Sequence, residues 1–227
     1  MNQNLILQFL YDLEQNNCRE WFHDHKQQYQ AANGIFEELV ETLMLELKKS
    51  DPTVLLTEPG KLTFKLVRDT RFSNDKSPYL PAFRAHISAK GKLPIPVGYY
   101  LMLRPGGRSF LGGGLFADMF RDATAMVRAA IADRGEEWQE ILSATSFTER
   151  FIVKGNALKK VPYGFDPNHP QAEYLKNKSW YLEYPIADEE LSDPQFVQKA
   201  VGVYQAMQPF NNFLNQALVQ FQMPARS

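Results

Sequence analysis

The stretch GYYLMLRPGGRSFLGGGLF (residues 98–116) decides the fold expected for this chain. In its first part Tyr99, Leu101 and Leu103 alternate with side chains of the opposite face, which is the two-residue period of a half-buried β-strand. The sequence RPGG (104–107) is typical of a hairpin turn, and it leads into a second strand. We therefore expect an antiparallel strand pair in the middle of the molecule.

Two further segments with the same period precede this pair. AFRAHISA (82–89) places Phe83, Ala85 and Ile87 on one face, and LTFKLV (62–67) alternates in the same way. If the strands are neighbours in an antiparallel sheet, one face packs on helices and the other carries polar groups. The side chains expected on that polar face are Arg84, His86, Tyr100 and Arg104.

Helical periodicity flanks the predicted sheet on both sides. Residues 3–15 predict a short amphipathic helix, and a second helix is expected from about Glu20 to Lys49. Near the other end, helices are predicted over 194–208 and from Pro209 onward, packed as a hairpin. The expected fold class is α+β: a single domain over residues 1–227, with a mostly antiparallel central sheet packed against long N-terminal and C-terminal helices.

Other segments between the sheet and the last helices also have expected structures. Helices are predicted over 118–133 and 136–144, and strands over FIVKG (151–155) and SWYLEYPI (179–186). Lys178 directly precedes the last of these strands, where it either returns a cation to the site or is simply solvated.

The composition is that of a globular protein. Of the 227 residues, 44% are apolar and 13% are aromatic, which is enough to bury a substantial core. Cys18 is the single cysteine, so an internal disulfide is excluded and a reducing compartment is indicated. No secretory leader and no apolar run of membrane-spanning length is recognisable, so we expect a cytoplasmic protein with no membrane association.

The charges are unevenly distributed along the chain. The formal net charge is −1, which makes general affinity for nucleic acid improbable on electrostatic grounds. Between Lys61 and Arg108, however, ten basic residues stand against two aspartates. Either acidic parts of the same molecule cover this basic block, or the block forms a pocket for an anion.

The string RDTRFSNDKSPY (68–79) is the densest part of the basic block. It follows a predicted strand and is rich in residues whose side chains hydrogen-bond their own backbone, so it can hold several charges at fixed positions. A buried charge without a partner is costly, so Arg68 must reach solvent or pair with Asp69 or Asp75. Arg71 and Lys76 add two more cations.

This string and several others resemble the domain-of-unknown-function family 2461. The resemblance covers nearly the whole chain and implies a single intracellular domain of mixed α and β structure, with no known activity. The chain departs from the family pattern at Leu80, where the resemblance leads us to expect a basic residue. The other strings that carry the resemblance are NCREWF (17–22), HKQQY (25–29), GYYLMLRPGG (98–107), GGGLF (112–116), VPYGFDPNHP (161–170) and LKNKS (175–179).

Motifs of cofactor, metal or nucleophile sites are missing. The glycines 112–114, including Gly113 and Gly114, stand between a strand and a helix expected near Asp118, where backbone N–H groups could bind a phosphate. A plain turn or bulge explains them equally simply. His23 and His25 are two positions apart on a predicted helix and cannot share a metal ion. We expect no cofactor and no metal.

Three functions remain open. In the first, the basic loop and the polar face of the sheet bind or process a small ligand that carries a phosphate or a carboxylate. In the second, the charges of the loop form a structural ion-pair network within an interaction protein. In the third, the cations contact nucleic-acid phosphates and tyrosines stack on bases, a less favoured reading because acids interrupt the basic residues. Whether the protein is an enzyme stays open.

For the first function, each candidate residue has a role. Asp69, Asp75 and His86 are the candidates for acid–base chemistry. The candidate ligand-binding residues are Arg68, Arg71, Lys76, Tyr79, Arg84, Tyr100, Arg104, Gly113, Gly114 and Lys178.

Overall fold

The computed structural model describes residues 4–71, 73–116 and 120–224. The helices are α1 (Asn4–Gln15), α2 (Arg19–Asp24), α3 (Lys26–Ser50), α4 (Arg121–Asp133), α5 (Gly135–Ser143), α6 (Thr145–Thr148), α7 (Ala172–Leu175) and α8 (Phe196–Ala217). The strands are β1 (Thr63–Phe64), β2 (Phe83–Ile87), β3 (Tyr99–Leu103), β4 (Ser109–Leu115) and β5 (Trp180–Ile186). Short 3₁₀ helices lie at Pro59–Lys61 and Asp188–Ser192.

The five strands form one antiparallel sheet in the order β1-β2-β3-β4-β5. In its first pair Thr63 faces Ala85 and Phe64 faces Arg84. Each strand lies beside its neighbour in sequence, as connected antiparallel strands favour. The structure confirms the predicted α+β class and the antiparallel sheet, including the turn at RPGG between β3 and β4.

The chain divides into two compact units. The first comprises residues up to 92, 100–111 and 185–202. Its core is aromatic: the ring of Phe83 on β2 stacks on Phe36 of α3 at 5.2 Å between centroids and lies 6.3 Å from Phe9 of α1. The buried face of α1 consists of Ile6, Phe9, Leu10 and Leu13, the spacing of one amphipathic side.

The second unit comprises residues 93–99, 112–184 and 203 onward. Its core surrounds Trp138, which is fully buried and lies within 5.3 Å of the rings of Phe210 and Phe213. Tyr99 packs against Tyr204 of α8 at 5.2 Å, and burial raises the pKa of Tyr204.

The predicted long helix over residues 20–49 is wrong in one respect. The helix is interrupted at His25, whose φ and ψ of −103° and 21° separate α2 from α3. The imidazole of His25 stacks on Trp21 at 3.9 Å, and its Nδ1 lies 2.8 Å from the Trp21 carbonyl oxygen. The local packing of this histidine competes with helix continuation, and the helical periodicity of the sequence does not reveal it.

The predicted helical hairpin at the C-terminal end is also wrong, because α8 continues through Pro209. An interior proline costs a helix about 3 kcal/mol. On either side of it, Met207, Phe210 and Leu214 stay buried on one face. Burial of each such side chain stabilises by about 1.5–3 kcal/mol, so a continuous helix is favoured over a turn that would expose part of this face.

Three strand and helix boundaries also differ from expectation. Only residues 63–64 of LTFKLV form a strand, and FIVKG contributes a single bridge between Lys154 and Tyr181. The helix expected from residue 118 begins at Arg121, and Asp118 lies outside the described residues. In the described ranges, no helix is both long and apolar enough to cross a membrane.

Candidate functional site

The structure describes every residue of the charged string RDTRFSNDKSPY except Phe72, and they belong to the first unit. The Leu80 amide donates to the Leu66 carbonyl at 2.8 Å, and the Arg68 amide donates to the Pro78 carbonyl at 2.9 Å. Val67 and Tyr79 form an antiparallel bridge between these two bonds. The alternation of LTFKLV thus continues past β1 as the base of a hairpin, with the charged residues in its loop.

Arg68 and Asp75 make an ion pair across this loop. Asp75 also accepts a hydrogen bond of 2.9 Å from the Ser77 amide, and Ser73 Oγ lies 3.4 Å from the Arg68 guanidinium. The hydrogen bonds from Ser77, together with the Arg68 guanidinium, hold the pKa of Asp75 well below its usual range. Arg68 therefore has a fixed position with its charge largely compensated.

Arg71 and Asp69 form a second, separate pair. Arg71 Nη2 donates to Asp69 Oδ2 at 2.6 Å and Nε to Oδ1 at 3.0 Å, and these bonds lower the pKa of Asp69. The side chain of Arg71 is 78% exposed, so this pair lies on the surface. Lys76 donates to the Thr70 carbonyl at 3.0 Å and has no carboxylate within ion-pair distance in the described part of the chain. The loop is thus a set of local contacts rather than one buried ion-pair network.

The side chain of Asn17 joins this loop to the start of α2. Its Nδ2 donates to the Tyr79 carbonyl at 2.9 Å, and its Oδ1 accepts from the Tyr79 amide at 3.1 Å. The Tyr79 ring stacks on Phe22 of α2 at 4.3 Å. Asn17 and Tyr79, 62 positions apart in the sequence, are thereby held together by hydrogen bonds, and Phe22 adds a ring contact to the same tyrosine.

A cleft of about 300 Å³ opens between the two joined segments, within the first unit. One wall is the segment that begins α2, and the other is the hairpin. The lining residues are Asn17, Cys18, Arg19, Glu20, Val67, Arg68, Thr70, Lys76, Pro78 and Tyr79.

Positive charge predominates in this cleft. Arg19, Arg68 and Lys76 line it together with a single carboxylate, that of Glu20. Arg19 is exposed, and none of the described residues offers its guanidinium an acceptor within hydrogen-bond distance. Its side chain is therefore available to a ligand without loss of an existing contact.

A larger groove of about 910 Å³ lies in the second unit, beside α5. Its lining mixes four carboxylates with Arg134, which pairs with Glu137 at 3.1 Å. The imidazole of His169 is engaged at both nitrogens: Nε2 lies 3.1 Å from the Ala132 carbonyl, and Nδ1 accepts from the Gln171 amide at 3.0 Å. Size alone favours this groove, but its exposed carboxylates Asp133, Glu136 and Glu140 would repel an anion, so we take the smaller, basic cleft as the candidate site.

Of the residues predicted for the site, Arg68, Lys76 and Tyr79 line the cleft. Arg71, Asp69 and Asp75 belong to the same loop but are absent from the lining. Asn17, Cys18, Arg19 and Glu20 were not among the predicted site residues. The only signal for them in the sequence was the string NCREWF, one of those that carried the family resemblance.

Arg84 and Tyr100 lie together elsewhere on the sheet. Arg84 donates to the Lys65 carbonyl at 3.1 Å, lies 5.4 Å above the Phe64 ring and hydrogen-bonds Tyr100. Burial raises the pKa of Tyr100, and the nearby Arg84 opposes that rise. These contacts hold β1 and β3 against β2. The guanidinium of Arg84 is thus packed against the Phe64 ring in the sheet.

Arg104 and His86 also lie outside the cleft, in contact with other residues of the first unit. Arg104 donates to Glu14 at 3.0 Å, and Arg108 pairs with the same carboxylate at 2.5 Å. The two guanidinium groups lower the pKa of Glu14. His86 is buried on β2, and its backbone amide donates to the Leu62 carbonyl at 3.0 Å. Neither Arg104 nor His86 is part of the cleft lining.

The remaining predicted residues, Gly113, Gly114 and Lys178, belong to the second unit. The glycines are part of strand β4 and not of a loop between strand and helix. A Cβ on Gly114 would lie 2.4 Å from the Trp180 carbonyl oxygen, so close packing of backbone explains this glycine. Lys178 uses its backbone to bond Asn156 at 2.7 Å.

The described residues hold no group of His, Cys, Asp and Glu side chains arranged to bind a metal ion. The sequence model of the conserved hypothetical protein family DUF2461 matches residues 5–213. The chain belongs to the DUF2461 family. The match includes both walls of the cleft, so the two segments that meet there are both within the DUF2461 region. Comparisons with curated proteins and with solved structures gave no match.

Proposed function

We propose that this DUF2461 protein binds a small phosphate- or carboxylate-bearing anion in the cleft between the start of α2 and the charged hairpin. The observation that carries the proposal is the convergence of Arg19, Arg68 and Lys76 on one concave surface of about 300 Å³. Cations fixed in a cleft attract anions more strongly than cations spread over a convex surface, because the low-dielectric walls focus the field.

The geometry also supports binding because two of the cations are already oriented. Lys76 is held by the Thr70 carbonyl, and Arg68 is held by Asp75. Side chains that are ordered before binding lose less conformational entropy when the ligand arrives. Ammonium and guanidinium groups supply the strong, charge-assisted hydrogen bonds that oxyanions accept.

A purely structural role explains the hairpin less completely. It accounts for the pairs of Arg68 with Asp75 and of Arg71 with Asp69. It gives no reason for Arg19 and Lys76 to line the cleft without a carboxylate partner among the described residues.

The single cysteine of the chain suits a reducing compartment, and we place the proposed activity in the cytoplasm.

The exposed thiol of Cys18 provides a reporter, because it lines the cleft and is the only thiol in the chain. We would measure the rate of its reaction with uncharged N-ethylmaleimide while titrating inorganic phosphate or acetate, alongside calorimetric titration. We expect saturable protection that survives moderate salt. Salt-sensitive protection by an oligonucleotide but not by phosphate or acetate would instead favour nucleic acid.

Variants locate the binding. Arg19→Gln should abolish the protection without altering thermal stability, since its guanidinium contacts no acceptor in the described chain. The matched control is Arg121→Gln, an exposed arginine at the start of α4 that is not in the cleft lining. Absence of anion binding by the unmodified protein, or equal effects of the two variants, would overturn the proposal.

A further inference from the structure

The proposed anion site offers more than one cation that is not paired with a carboxylate. Three cations and one carboxylate line the cleft, and one of the cations, Arg68, is already paired with Asp75, which is not in the lining. Arg19 and Lys76 are the lining cations that have no carboxylate partner among the described residues, so both are available to a ligand. A phosphate monoester is close to a dianion at neutral pH, whereas a carboxylate or a sulfate ester carries one charge.

The number of unused hydrogen-bond donors in the cleft also favours a phosphate group over a carboxylate. The guanidinium of Arg19 has five N–H donors, and the ammonium of Lys76 has three, of which one is used by the Thr70 carbonyl. A terminal phosphate presents three strong acceptor oxygens, and a carboxylate presents two. The site thus has enough donors to saturate a phosphate with both cations engaged.

The cleft is also larger than a phosphate group. Its volume of about 300 Å³ stands at the lower end of the range found for small-molecule sites. A phosphate group fills only a fraction of it, roughly the space of two or three water molecules at about 30 Å³ each. The remainder is room for a small organic group.

An apolar wall is in place for that organic group. Val67 is 64% exposed although its backbone belongs to the base of the hairpin, and Pro78 lines the same cleft. An exposed valine has no role in the ion pairs of the loop and none in the core. Covering it with an organic substituent removes apolar surface from water.

We infer that the ligand of this cleft is the phosphate monoester of a small organic group, with the dianionic phosphate on Arg19 and Lys76 and the organic part on Val67. This inference rests on the proposed anion-binding function and adds the class of ligand to it.

Two ligands of matched shape test the charge. Phenyl phosphate and phenyl sulfate differ in charge at neutral pH but hardly in size. By calorimetry at about pH 7.5 we expect phenyl phosphate to bind about tenfold more tightly, because its second negative charge strengthens the charge-assisted hydrogen bonds that Arg19 and Lys76 donate. At about pH 5, below the second phosphate pKa near 6, the preference should largely disappear.

Two variants test the apolar wall. Val67→Ser should weaken binding of phenyl phosphate about three- to tenfold and leave binding of inorganic phosphate unchanged. Val219→Ser, at another exposed valine that does not line the cleft, should alter neither affinity.

The outcomes separate the two proposals. Equal affinities for phenyl phosphate and phenyl sulfate, with binding still dependent on Arg19, would overturn the monoester inference while the anion site stands. The monoester inference is also overturned if Val67→Ser changes the affinities for inorganic phosphate and phenyl phosphate equally. If no anion binds at all, both proposals fail.

Discussion

Asn17 holds Tyr79 by two hydrogen bonds, donating to its carbonyl at 2.9 Å and accepting from its amide at 3.1 Å. One side chain thereby satisfies both backbone groups of a residue at the end of the charged hairpin. Because Cys18 and Arg19 follow Asn17 directly, the same contact places them opposite Arg68 and Lys76. The cleft exists because these two segments are fastened at this point.

Replacement of Asn17 by alanine should therefore destabilise the protein and loosen the cleft. The Tyr79 N–H and C=O would lose their partners in a partly buried place, which costs about 1–3 kcal/mol. Urea unfolding measures the loss, and faster maleimide labelling of Cys18 reports the loosening. Asn16→Ala is the control, because the exposed Asn16 side chain makes only a local bond to the Asp12 carbonyl and should cost less than about 0.5 kcal/mol. Equal losses in the two variants would contradict the fastening role of Asn17.

Arg71→Ala should leave the urea midpoint and the anion affinity nearly unchanged. Arg71 is 78% exposed, pairs with an exposed Asp69 and does not line the cleft. Exposed ion pairs contribute little because water and salt screen them. A large fall of the midpoint would show instead that this pair anchors the hairpin, and a fall in anion affinity like that of Arg19→Gln would place Arg71 in the site.

Glu14 should make stability depend on pH. Its hydrogen bonds with Arg108 and Arg104 hold its pKa below the usual value for a glutamate, about 4.5, in the folded protein. A carboxyl whose pKa is lowered by folding stabilises the protein above its unfolded-state pKa, and this contribution is lost as the pH falls through the folded-state pKa. The unmodified protein should thus be more stable than Glu14→Gln near pH 7, with a difference that shrinks as the pH falls below about 4.5.

Urea titrations at several pH values measure this difference. The exposed Glu41 of α3 supplies the control variant Glu41→Gln. A difference for Glu14→Gln that is independent of pH would show that the contribution of Glu14 is not electrostatic.

Two glycines should respond oppositely to alanine. Gly114 has a φ of +89°, and a Cβ there would meet the Trp180 carbonyl oxygen at 2.4 Å, so Gly114→Ala should cost at least about 2 kcal/mol. Gly202 lies inside α8 with nothing within 4 Å of an added Cβ. Gly202→Ala should stabilise by about 0.5–1 kcal/mol, because alanine loses less backbone entropy in a helix. Thermal unfolding of the two variants compares them, and a tolerated Gly114→Ala would contradict the close packing of β4 against Trp180.

Much of the secondary structure follows from local pattern. The alternation in AFRAHISA and GYYLMLR gave β2 and β3, and the glycine and proline of RPGG gave the turn before β4. Alternation reports which face is buried, and that face is set by residues close in sequence. The break at His25 and the continuous α8 through Pro209 depend instead on what these residues pack against. Local propensity could not supply that information.

The sequence by itself determined the α+β class, the antiparallel character of the sheet and the presence of a charged segment at residues 68–79, because each depends on short-range periodicity and composition. Tertiary structure alone decided which charges meet. Arg84 contacts Phe64 and Tyr100, Arg104 pairs with Glu14, and Arg19 lines the same cleft as Lys76. The physical reason is that an ion pair or a cleft requires proximity in space, and here that proximity comes from the contact between Asn17 and Tyr79, 62 positions apart.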